Sequence, residues 1–130
     1  MQTKKQNIFI WAARLIAAII LLQTLFFKFS AAPVSIYIFT ELGIEPWGRI
    51  GTGILELIAS ILILIPKTTV YGAILGFGLM AGALLSHLTK LGIEVQHDSG
   101  KLFILAVIVF ASCLFLIISE RNKLLTFIKK

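Results

Sequence analysis

Glu56 stands near the middle of a stretch, Trp47 to Ile65, that is otherwise almost wholly apolar. A carboxylate in hydrocarbon is costly unless it is paired, protonated or turned toward a protein-lined cavity. On a helix, Arg49, Gly53 and Ser60 fall on the same face as Glu56, so the carboxylate belongs to a polar seam. Arg49 lies two turns away, roughly 10 Å along the axis, close enough to reach inward or share a water. Arg14, Lys28 and His87 are the other intramembrane groups able to meet it. Arg14 and Lys28 are nearly four helical turns apart and so share a face, although either can also snorkel to a membrane surface. A neutral imidazole donates and accepts at once, which would suit a quinone or another polar-headed lipid. A carboxylate beside it could hold or pass a proton. The bland alternative is a structural ion pair: Glu56, with Arg14 on one side and Arg49 on the other, locking two helices together.

The elements that must position these groups follow from composition. Of 130 residues, 58% are hydrophobic and 14% charged, with a mean hydropathy of +1.00. A soluble domain carries about a quarter charged residues, so this chain belongs in a lipid bilayer. The net charge of +6 comes with no run of Lys and Arg on a soluble face, which argues against a nucleic-acid partner. The single Cys113 lies in an apolar run and reads as a small hydrophobe. With no CxxC pair, no HxxxH and no clustering of His87 with Glu56, neither thiol redox chemistry nor a metal site is expected. No covalently bound cofactor is expected, and the ligand candidates are a quinone or a lipid.

Four segments are long enough to cross: about 8–29, 47–65, 70–91 and 101–119. At about 1.5 Å per residue they cover roughly 30 Å, and lipid forces them to be helices. The fold class expected is an all-α membrane protein, one four-helix bundle over 1–130. Between spans one and two, Val34, Ile36, Tyr37, Phe39 and Leu42 form a short interfacial helix bracketed by Ser30, Pro33 and Gly43. Pro66 and Gly92 close the second and third spans, and Ser99 is a plausible cap for the fourth. The loop residues His97 and Asp98 read as solvated. Phe26, Phe27, Phe29, Tyr37 and Trp47 read as an interfacial aromatic belt. The first span is too long for a signal-peptide core and is expected to stay as an anchor. Lys4, Lys5, Lys67, Arg121, Lys123, Lys129 and Lys130 collect on one side, which places both termini in the cytoplasm and the chain in the cytoplasmic (inner) membrane.

Small residues supply the packing. Gly72, Gly76, Gly78 and Gly82 put the third span against at least two neighbours, or against a second copy of the chain, and Gly51 and Gly53 let the second span approach.

The order of these features resembles the DoxX-like family of small four-helix membrane proteins. The matching elements are Arg14, Lys28-Phe29, Pro46 with Arg49, Gly53 and Glu56, then Gly72-Ala73, Met80-Ala81, Ala83 and His87, spread from Ile10 to Ile118. The resemblance implies a four-helix bundle with one of several roles. Some members are linked to thiosulfate:quinone oxidoreductase or to complexes handling oxidative stress, and a eukaryotic branch looks like assembly chaperones for ligand-gated channels. Without a redox cysteine pair or an appended soluble domain, this chain is expected not to be an enzyme on its own. The expected function is an accessory subunit of a quinone-linked redox system, with Arg49, Glu56 and His87 lining an outward pocket. The alternative is a folding factor that recognises a partner's transmembrane helices. A transporter ranks last, since no repeat or broken helix is evident.

Overall fold

The computed structural model describes residues 4–30, 32–45, 47–92 and 100–121. Helix α1 spans Lys4–Phe29, α2 Pro33–Glu41, α3 Trp47–Leu64, α4 Thr69–Ser86 and α5 Lys101–Ser119. A π-helical turn, His87–Leu91, carries α4 onward. The four long helices are apolar and long enough to cross a membrane, and α2 is the short helix between the first two of them. The architecture is an all-α four-helix bundle, in which α1 packs on α3, α3 on α4, α4 on α5 and α5 on α1. Consecutive spans are antiparallel, so the bundle has an end carrying the chain termini and an end carrying α2.

Local chemistry explains the breaks. Pro33 opens α2 at its first turn, where its missing N–H costs nothing, and Ala32 before it is extended at φ −57°, ψ 143°. Gly43, at φ 77°, closes α2: the N–H of Ile44 reaches Phe39 O and that of Gly43 reaches Thr40 O, a Schellman ending that needs the left-handed conformation. Gly100 opens α5 at φ 83°. The expected cap Ser99, with His97, Asp98 and Pro46, lies outside the described residues.

The interior is narrow and small-chained, built from Ala13, Ala17, Leu21, Ala59, Ile63, Ala73, Val109, Cys113 and Leu116. Its outer surface is apolar too: Ile8, Ile19, Phe26, Ile54, Ile61, Leu85, Ile104 and Ile118 are all exposed. The most apolar helix, α5, has a mean hydropathy of 3.0 yet only 22% of it is buried inside the bundle. In water such a helix would be the most buried, so its apolar face is directed at lipid. The chain is a multi-pass membrane protein.

Three glycines make the expected close approaches. A Cβ on Gly72 would come within 2.6 Å of Ile63 N and 2.8 Å of Ala59 O, so here the backbones of α3 and α4 touch. At Gly76 it would meet Cys113 Sγ at 2.9 Å, and at Gly53 the ring of Phe29 at 2.7 Å. Gly78 and Gly82 are different. Nothing lies within 4 Å of the Cβ either would carry, and the same holds for Gly51, so these three do not pack the bundle. The four-residue small-residue pattern continues along α4, but α3 and α4 are in tight contact only near the terminus end.

Candidate functional site

Because α1 and α3 are antiparallel, the polar groups of α1 meet those of α3 level by level. Lys28 Nζ lies 3.0 Å from Glu56 Oε1 and donates to Oε2 at 3.3 Å. The Thr24 hydroxyl, one turn earlier, donates to the same Oε2 at 3.0 Å and sits 2.9 Å from Leu21 O. Glu56 is 2% exposed, so its charge is compensated inside the bundle by one ammonium and one hydroxyl.

The two arginines expected beside Glu56 go elsewhere. Arg14 donates from Nε to Ile63 O at 2.8 Å and from Nη2 to Leu64 O at 2.6 Å, with its guanidinium 3.6 Å from the Trp11 ring centre. It lies about two turns from Glu56 along the helix pair, and its donors are taken by the carbonyls that the end of α3 leaves without helical partners. It does not snorkel: it is 3% exposed. Glu120, buried at the end of α5, interacts favourably with its charge. Arg49 pairs with Glu45, Nε to Oε1 at 2.9 Å, and donates from Nη1 to Lys28 O, near the end of α1. The exchange is reciprocal, each helix capping the C-terminal carbonyls of the other with a guanidinium.

The seam read from the α3 sequence holds, with Arg49, Gly53, Glu56 and Ser60 all buried on one face. Thr24 was missed, although its four-residue spacing from Lys28 places it on the same face. Thr68 and Thr69 were missed as well. Their hydroxyls accept no long-range role in sequence, yet they donate to Leu62 O at 2.9 Å and Ile63 O at 3.0 Å, finishing the end of α3.

His87 is 5% exposed. Its Nδ1 is 2.9 Å from Gly92 O, and its ring meets Phe103 edge-on with centroids 5.6 Å apart. The π-helical turn that it opens was not legible in sequence. The turn ends at Gly92, φ 79°, whose carbonyl thereby reaches back to the imidazole.

Between these groups the α2 half of the bundle holds a cavity of about 360 Å³. Lys28, Glu56 and Thr24 lie along its wall, with Thr52, Ser35 and His87 as further polar members and Leu21, Phe39, Met80 and Val109 among the apolar ones. Neither Arg14 nor Arg49 lines it. Gly78 and Gly82, removed above from the packing set, do line it, and the missing side chains leave that flank of α4 open. No group of three or more His, Cys, Asp or Glu that would hold a metal forms among the described residues.

No family model, curated protein or solved structure matches this chain.

Proposed function

We propose that the protein is an accessory membrane subunit that takes a lipid-soluble molecule with a polar head, such as a quinone, into the cavity at its α2 end. The cavity itself carries this reading: about 360 Å³ of mostly apolar space with a buried, paired carboxylate on its wall. Pockets for small ligands combine an apolar lining with a few fixed polar groups in this way. The ordered resemblance to DoxX-like proteins supports a redox-linked role, with the chain binding the lipophile for a partner enzyme. The Lys and Arg excess at the terminus end supports cytoplasmic termini in an inner membrane, with the cavity toward the exterior.

The direct test is extraction of the purified protein in mild detergent, followed by mass spectrometry of the bound lipids. A stoichiometric quinone or similar lipophile in the wild type, reduced severalfold or more in a folded Glu56→Gln variant, supports the reading. Equal retention in both removes Glu56 from the site.

One observation favours a second reading, a membrane-protein assembly factor. The open flank at Gly78 and Gly82 gives a partner's helix a place for close backbone approach. Crosslinking from cysteines placed at these two positions would capture one defined membrane protein if that reading is right.

A further inference from the structure

We propose that the cavity opens sideways into the bilayer between α3 and α4, and that it takes a single-tailed amphiphile by the head while the tail stays in lipid. This rests on the cavity being a ligand site, and it names the shape of what enters and the route it takes.

The register of α4 gives the opening. A Cβ on Gly76 would point into the bundle, 2.9 Å from Cys113 Sγ and 4.0 Å from Leu21. An α-helix turns about 100° per residue, so Gly78 lies roughly 200° around from Gly76, on the outward side. Gly82, one turn on, continues that flank. Both glycines are exposed, and a Cβ on either would meet nothing within 4 Å. Yet both line the same cavity as Met80 and Val109, which are buried. A space bounded by the inner and the outer side of one helix is not sealed by it, so this space runs past α4 to the outside.

The opening is on the α3 side. Gly82 lies about 80° around α4 from Gly72 and about 140° from Phe77. Gly72 is the residue that touches α3, whereas Phe77 stacks on Phe110 of α5. Gly72 meets α3 between Ala59 and Ile63. Because the two helices are antiparallel, six residues further along α4 bring Gly78 to about the level of Glu56. Thr52, one turn before Glu56 on α3, is half-buried and lines the space as well. The opening is therefore beside the Lys28–Glu56 pair, inside the membrane-spanning stretch Thr69–Leu91.

The end of the bundle is covered. Val34, Ser35, Ile38 and Phe39 of α2 line the same cavity, with Ser35 and Phe39 buried, so the way in is from lipid. A volume of about 360 Å³ is near the lower end of the range for small-ligand pockets, roughly 300–1,000 Å³. It holds a head group, but not a long chain folded beside it. The tail leaves along the flank of Gly78 and Gly82, which the exposed Ile74 continues one turn earlier. Space that runs inward from this flank to Lys28 and Glu56 suits a head with a chain attached, and a straight partner helix would leave it unfilled.

The test measures binding to the protein in lipid nanodiscs of two probes that share a head: 2,3-dimethoxy-5-methyl-1,4-benzoquinone, which has no tail, and its 6-decyl derivative. Gly78→Trp and Gly82→Trp block the opening from outside. Gly51→Trp is the control, on a glycine with the same room for a side chain that is not part of the cavity wall. Wild type should bind both probes. Each blocking variant should bind the decyl probe about tenfold more weakly or worse and the tailless one within about twofold of wild type, while Gly51→Trp keeps both. Weakening of both probes alike or of neither in the folded blocking variants, or a wild type that takes only the tailless probe, overturns the lateral opening and leaves the lipophile site standing. Loss of a co-purified membrane protein from these variants with decyl binding unchanged gives the flank to a partner's helix and overturns it too. A wild type that binds neither probe overturns the site itself, and the opening with it.

Discussion

The two ends of the bundle use the same device to different effect. At the terminus end a cation from α1, Arg14, crosses to α3 and gives its donors to the carbonyls of Ile63 and Leu64. Thr68 takes the neighbouring carbonyl of Leu62 and Thr69 shares that of Ile63, and Gly72 lets α4 close against them. At the α2 end another cation from α1, Lys28, also crosses to α3, but it meets a carboxylate. There Gly78 and Gly82 of α4 face open space, and a cavity lies beside the contact of α1 with α3. Polar groups inside a membrane protein therefore need not mark function. Those of the terminus end are spent on helix ends, as is Arg49 at the other end, whereas Thr24, Lys28 and Glu56 line the cavity.

The comparison breaks most directly at Arg14. Arg14→Met removes the charge beside Glu120, takes the side-chain donor from Leu64 O and leaves Ile63 O with that of Thr69 alone, so a loss of about 4 kcal/mol is expected, read as a large drop in the detergent unfolding midpoint. Lys28→Met should cost about 3 kcal/mol, because it strands the Glu56 carboxylate. The double variant Lys28→Met, Glu56→Leu should recover to within about 1 kcal/mol of wild type, since an apolar pair can replace a buried ion pair. It should still bind no lipophile. Recovery of both stability and binding would make the pair purely structural, like Arg14.

Smaller effects sharpen the contrast along α4. Gly72→Val sets a side chain against the α3 backbone and should cost about 2–3 kcal/mol. Gly78→Ala and Gly82→Ala, each with room for a Cβ, should stay within about 0.5 kcal/mol of wild type or gain slightly from helix propensity. If all three glycines behaved alike under thermal unfolding, the distinction between a sealed and an open end would fail.

Much of this was legible in the chain. Hydropathy and length set the four helices to within a few residues, Gly43 and Pro33 set the short α2, and the period of α3 put Arg49, Gly53, Glu56 and Ser60 on one buried face. Pairing was less legible. Arg14, Arg49 and Lys28 all share plausible faces, and which cation meets Glu56 depends on the axial stagger of α1 against α3, which no single-helix pattern encodes. Gly78 and Gly82 carry the same spacing signal as Gly72 and Gly76, yet spacing does not tell where two helices diverge. The bond between His87 and Gly92 O is made across a π-helical turn, which leaves no periodic trace over five residues.

The central claim is that the space at the α2 end is a ligand site and not a packing defect. Ala83 lines that space and is not part of the polar network. Filling it with Ala83→Trp and extracting the purified protein tests the claim most directly. The account predicts an unchanged or raised unfolding midpoint together with loss of the co-purified lipophile. A folded Ala83→Trp protein that carries the same bound molecule at the same stoichiometry as wild type would contradict it.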